Sequence, residues 1–122
     1  MIRGVRGATT VQTNDANSMV ENTKVLIEEM AKVNEVVPED IASVLISVTS
    51  DLNAAFPAKA LRTIEGWTYV PVMCMKEIEV PGSIEKCIRI MMTINTSKSQ
   101  KSITHIYHNE AVKLRPDLTE KE

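Results

Sequence analysis

The stretch PVMCMKEIEVPGSIEKCIRIMMT, residues 71–93, organises the reading of this chain. Near its end and just beyond, Ile88, Ile90, Met92 and Ile94 alternate with other residues, the period of two that marks a buried strand. Arg89 sits inside that run, where a guanidinium is costly to bury without a partner. The first half, PVMCMKEIEV, also reads as a strand and carries Cys74 and Glu77. Joined through the Pro81–Gly82 turn, the two segments can bring Glu77 and Arg89 towards one place. The pair is either the seed of a site or a structural ion pair, and the stretch alone leaves both open. Cys74 and Glu77 are three apart, so a regular strand points them to opposite faces. Both can line one pocket only if the strand ends or bulges between them.

Outward from this stretch, the remaining segments read as scaffold and extra cations. Residues 2–11, IRGVRGATTV, form a strand in which Gly4 and Gly7 permit close backbone approach. Asn14 or Asp15 caps a helix running to about Asn34. Met19, Thr23, Leu26, Met30 and Val33 make its apolar stripe, with Val20, Ile27 and Ala31 widening it. Pro38-Glu39-Asp40 reads as one turn of helix or a tight turn. Residues 41–49, IASVLISVT, are apolar on both faces, which predicts a central strand. Pro57 opens a short helix, PAKALRTIE, closed by Gly66. Lys59 and Arg62 share one face of it, either as an anion site near its N-terminus or as solvated surface with Arg62 pairing Glu65. Residues 97–102, SKSQKS, are a polar loop. Ile103 to Leu114 reads as a last strand or hairpin carrying Tyr107, and the chain ends in LRPDL and a frayed tail. The order β, α, β, short α, β, β, β predicts an α+β domain with helices against one mixed sheet.

The totals narrow the possibilities. A chain of 122 residues is expected to be one domain with a real core, residues 1–122, of which about 116–122 form a flexible tail. A net charge of -2 offers no basic field for nucleic acid or an anionic membrane. No apolar run approaches a membrane span, and two cysteines without CxxC spacing suggest neither a disulfide framework nor zinc. A cytoplasmic location is expected. With one Phe, one Trp and two Tyr against seven Met, the core is expected to be aliphatic and methionine-rich, and any exposed aromatic becomes informative.

Motifs for covalent chemistry are missing: there is no Gly-rich phosphate loop, HExxH or GxSxG, and no metal-ligating cluster. His105 and His108 fall on opposite sides of an extended segment. Cys74 has no basic neighbour in sequence and reads as an inert small hydrophobe. What remains is a set of cations (Arg6, Lys59, Arg62, Arg89, Arg115), one carboxylate (Glu77) and one phenol (Tyr107). That set suits a small polyanion better than covalent catalysis.

Five blocks carry a resemblance. RGVRGATT, FPAKALR, GWTYVPVMCMKEIEV, CIRIMMT and LRPDL, in this order and spacing, resemble the monofunctional chorismate mutases of the bacterial AroH type over residues 2–118. The resemblance implies a homotrimer of ferredoxin-like α+β subunits forming a pseudo-barrel, with active sites in clefts between neighbours. It implies conversion of chorismate to prephenate, on the way to Phe and Tyr, with no metal or cofactor. It also implies residue roles. Arg6 and Tyr107 contact a substrate carboxylate, Arg89 bonds the ether oxygen and a carboxylate, and Glu77 bonds the ring hydroxyl. Met73, Cys74, Met75 and Lys76 lead up to Glu77 with backbone and side-chain contacts, the Cys74 thiol near Glu77. Phe56, Ala58, Lys59, Arg62 and Val72 line the cleft, and Leu114 and Arg115 close it. The family commonly has Thr where this chain has Met73, which leaves a backbone contact there but no hydroxyl. Two alternatives stay open at this point: a non-catalytic trimeric binding module for an anionic metabolite, and a different small-metabolite enzyme such as a trimeric imine hydrolase. The Cys74-x-x-Glu77 pair and FPAKALR speak against the second.

Overall fold

In a computed structural model, which describes residues 1–114, the chain folds as one five-stranded mixed sheet with helices on one face. The elements in order are β1 (Ile2–Thr10), α1 (Ala16–Val33), β2 (Ile41–Val48), α2 (Lys59–Arg62), β3 (Val72–Lys76), β4 (Cys87–Asn95) and β5 (Ile106–Tyr107). Single 3-10 turns fall at Pro38–Asp40, Gln100–Ser102 and Asn109–Lys113. The sheet order is β3-β2-β4-β1-β5. β4 is antiparallel to both neighbours, whereas β2–β3 and β1–β5 are parallel.

The register sorts every strand residue to one of two faces. Val5, Val44, Ile46, Ile88, Ile90, Met92 and Ile94 share the face under α1 and are buried there with Met19, Leu26, Ile27 and Met30. α1 starts where the Asp15 carboxylate accepts from the Ser18 amide, satisfying one of the free N–H groups of the first turn. It can lie close on β1 because residue 7 is glycine: a Cβ there would collide with the Met30 sulfur. Val33, expected in the apolar stripe, is instead exposed, because the helix ends there and Asn34 turns inward in its place.

β1, α1 and β2 form a parallel pair with room for one strand between them, and β4 fills the gap. This is the split βαβ unit of ferredoxin-like folds. The likeness ends at the edges, where the second crossover helix is a single turn and β5 runs parallel to β1. Two other expectations need correction. The strands on either side of Pro81-Gly82 do not pair, because β2 lies between them, and the first of them stops at Lys76. The expected last strand is two residues long and then coils into the turn at Asn109–Lys113.

β2 is interior as expected, but only one of its faces is covered in the single chain. Ile41, Val44 and Ile46 are buried, while Leu45 is 41% exposed. With Ile2, Met73, Met75 and Met91, Leu45 makes the sheet face opposite the helices apolar and open. No helix among the described residues is long and apolar enough to cross a membrane.

Candidate active site

On the open face, β4 presents Arg89 between Cys87 and Met91, and β2 presents Ser47 directly opposite Arg89. β3 ends at Lys76, and its next amide, that of Glu77, donates to the Val48 carbonyl at 2.8 Å. Regular alternation with Met73 and Met75 puts the Glu77 side chain on the open face. Its Oε2 accepts from Arg89 Nη1 at 3.1 Å, and its Oε1 accepts from the Ser47 hydroxyl at 2.5 Å. The Glu77–Arg89 ion pair expected from the sequence therefore forms, bridged across β2 rather than within a hairpin. Neither partner is buried: their side chains are 23% and 45% exposed.

Arg6 and Tyr107 join the pair. Arg6 leads from β1 on the same face, and Tyr107 follows from β5, which pairs with β1 at Ala8. Arg6, Tyr107, Arg89 and Ser47 line one hollow of about 260 Å³, floored by Gly7, Ala8 and Ile90 and walled by Leu45, Met75 and Met91. Here two guanidinium groups and a phenol converge, and the Glu77 carboxylate, which lines a neighbouring hollow with Thr49 and Ile78, reaches them through its bonds to Arg89 and Ser47. Among the described residues the Arg6 guanidinium has no carboxylate partner, and its backbone N–H donates to His105 Nδ1 at 2.9 Å. That bond requires an imidazole with an unprotonated Nδ1. His108 turns the other way, its Nε2 3.3 Å from the Glu29 carboxylate on α1, so the two histidines do not share a site.

A second constellation lies on the helix side of β3. Cys74 pairs with Ile46 in the register and packs against the core, so its thiol points away from Glu77. Burial raises its pKa, and the Ala58 amide donating to the sulfur offsets part of that rise. An unactivated thiol agrees with the sequence reading. Phe56, Lys59, Cys74, Met75 and Lys76 line a cavity of about 640 Å³ together with residues 48–50 and 52–55. Two aromatics are exposed among the described residues, as the composition made worth noting: Phe56, 71% exposed, lines this cavity, whereas Tyr69, at 96%, lines neither hollow. Arg62 is exposed in the one turn of α2 and forms no ion pair with Glu65. Val72 faces the core side of β3, and Met73 the open side, paired with Leu45. Leu114 is half-buried just after the last turn, and Arg115 lies outside the described residues, as does the expected tail.

The expected site residues thus fall into two sets on opposite faces of β3, with Met75 alone lining both hollows. The sequence reading missed Ser47. A serine in IASVLISVT passes for filler: alternation puts it on one face with Leu45, and only the β2–β4 register makes it a neighbour of Arg89.

Comparison with known proteins agrees with this architecture. The family model for chorismate mutase type I matches residues 2–118. The chain is 50% identical over 119 residues to chorismate mutase AroH of Bacillus subtilis, covering 98% of this chain and 94% of the relative. It is 41% identical to chorismate mutase AroH of Thermus thermophilus, covering 97% of each. A solved chorismate mutase from Clostridium thermocellum superposes with a TM-score of 0.86 at 53% identity, covering 88% of this chain and 96% of that one. The chain therefore belongs to the chorismate mutase type I family.

Proposed function

We propose that this chorismate mutase works on a composite site in a homotrimer, the open sheet face of one copy meeting the Phe56–Cys74 cleft of the next. The activity itself, rearrangement of chorismate to prephenate in aromatic amino acid biosynthesis, is that of its family. The reading of the assembly is supported by the division of the residues. Arg6, Glu77, Arg89 and Tyr107 stand on one face, while Phe56, Lys59 and Cys74 stand on the other, and one copy cannot close them around a small molecule. The uncovered Leu45, Met73, Met75 and Met91 are the kind of apolar patch that a neighbouring subunit covers.

A [3,3] rearrangement has no proton to move and no group to transfer, so it needs neither a base nor a nucleophile. As the C–O bond breaks, negative charge gathers on the ether oxygen and positive character on the ring. Arg89 meets the first and Glu77 the second, so both interactions strengthen on the way to the transition state. Arg6 and Tyr107 hold one carboxylate, and Lys59 and Arg62 of the neighbouring copy draw in the dianion. Seating the enolpyruvyl arm over the ring adds an orientational contribution. The observation that carries this reading is the Arg89–Glu77 contact of 3.1 Å beside Arg6 and Tyr107. Following the loss of chorismate absorbance with wild-type protein and Arg89→Ala tests it. A correctly folded Arg89→Ala protein with wild-type turnover would remove Arg89 from the mechanism.

A further inference from the structure

Glu77 is held at both of its oxygens by groups on different strands. Oε2 is on Arg89 Nη1 at 3.1 Å, and Oε1 is on the Ser47 hydroxyl at 2.5 Å. Left to themselves, a carboxylate and a guanidinium tend to meet fork to fork, with two parallel N–H···O bonds. Such a pair would occupy two of the five N–H groups of Arg89 and turn the plane of the guanidinium towards Glu77. Here the second carboxylate oxygen is already taken, so Arg89 is engaged through one nitrogen only. Ser47 can do this because it stands opposite Arg89 in the β2–β4 register, on the strand that separates Glu77 from Arg89.

We propose that Ser47 is a positioning residue for the rearrangement: it keeps Glu77 from closing both oxygens onto Arg89, leaving the rest of the guanidinium fork free for the substrate. The inference rests on the site reading above, in which Arg89 is the group that meets the ether oxygen. It acts through Glu77 and Arg89, and its consequence falls on turnover. Without the hydroxyl, a two-pronged ion pair persists in the substrate complex and has to open as charge gathers on the ether oxygen, which lowers kcat. An alanine or valine at residue 47 leaves the strand, its register and the helix-side core untouched, because residue 47 lies on the open face.

Threonine and valine are nearly equal in shape and differ in the hydroxyl, so Ser47→Thr and Ser47→Val separate the hydrogen bond from the packing. Hydrogen bonds to charged groups typically account for about 10-fold to 100-fold in an equilibrium. Chorismate kinetics on the full-length protein, with unfolding midpoints measured alongside, are expected to show Ser47→Val down by about 10-fold or more in kcat, with KM changed much less. Ser47→Thr is expected within about threefold of wild type. Equal kcat for the two variants overturns the inference, as does a Ser47→Val loss confined to KM. The Arg89→Ala protein, assayed in parallel, separates this failure from that of the site reading. If Arg89→Ala turns over normally, the site reading fails. If Arg89→Ala is impaired while Ser47→Val equals Ser47→Thr, only the role of Ser47 fails.

Discussion

Asn34 and Thr104, 70 residues apart in sequence, exchange a reciprocal pair of hydrogen bonds: Asn34 Nδ2 donates to the Thr104 carbonyl at 2.9 Å, and the Thr104 amide donates to Asn34 Oδ1 at 2.8 Å. Asn34 also closes the C-terminal turn of α1 by donating to the Met30 carbonyl, and it is 1% exposed. A strand of two residues has little pairing of its own, and this clamp joins the Arg6–His105, Ala8–His108 and Thr10–Asn109 hydrogen bonds in setting β5, and with it Tyr107, beside β1.

Asn34→Ala is expected to cost about 1–3 kcal/mol, because it strands the Thr104 backbone groups without partners. Denaturant unfolding at fixed protein concentration measures it. The same variant is expected to raise KM for chorismate by loosening Tyr107. A loss of stability with wild-type KM would mean that β5 is held by other contacts.

Arg89→Ala is expected to lower kcat by ~10²–10³, the usual cost of removing one preorganised donor to a developing charge. Arg89→Lys is expected to be poor as well, because a single ammonium cannot bond Glu77 and the ether oxygen in the planar geometry of a guanidinium. Lys59→Ala and Arg62→Ala are expected to act mainly through KM, since a cation that only holds a carboxylate stabilises ground and transition states alike. A fall in kcat at unchanged KM in either lysine or arginine variant would place that cation in the transition state instead.

Cys87 supplies a pH signature. It is buried at the start of β4, and burial is the main cause pushing its thiol from 9.0 up to about 11. The folded chain keeps this proton where the unfolded chain has lost it, so the native state binds more protons and stability falls as pH rises through that interval. The contribution is whole below pH 9 and declines towards pH 11. Cys87→Val, similar in size and without a titrating proton, should show a shallower decline over that interval at matched protomer concentration. Parallel stability curves for the two proteins would show that the thiol is not the group responsible.

The sequence made some of this fold legible and hid the rest for identifiable reasons. Period-two alternation around Arg89 and three- and four-residue steps from Met19 to Met30 report burial directly, and both β4 and α1 appear where expected. Which strand lies next to which is a different kind of information. The turn at Pro81-Gly82 invited a hairpin, yet β2 takes the place between β3 and β4, and Ser47 gains its role only through that insertion. The parity conflict between Cys74 and Glu77 was visible in advance. No bulge removes it: alternation through β3 keeps Glu77 on the open face with Met73 and Met75, while Cys74 stays on the opposite face with Phe56 and Lys59. The family resemblance grouped all of these residues into one cleft, and no local pattern could have said that a single copy holds them on two.

That division makes a direct test of the composite site. In a protein carrying Arg89→Ala, the open face is disabled but the Phe56–Lys59 cleft is intact. In one carrying Lys59→Ala together with Arg62→Ala, the reverse holds. If each site takes its open face from one copy and its cleft from the next, a trimer mixed from both proteins contains some sites with two intact halves. Random mixing in equal amounts gives about a quarter of the sites this way in a closed ring of three. The two proteins, unfolded together and refolded as a mixture, should therefore turn over chorismate, at concentrations below the wild-type KM, faster than the sum of the two refolded separately. A site contained within one copy has no such route to recovery, because every chain in the mixture carries one damaged half. Activity equal to that sum, in a mixture shown by mass to contain mixed trimers, would put each site back inside a single chain.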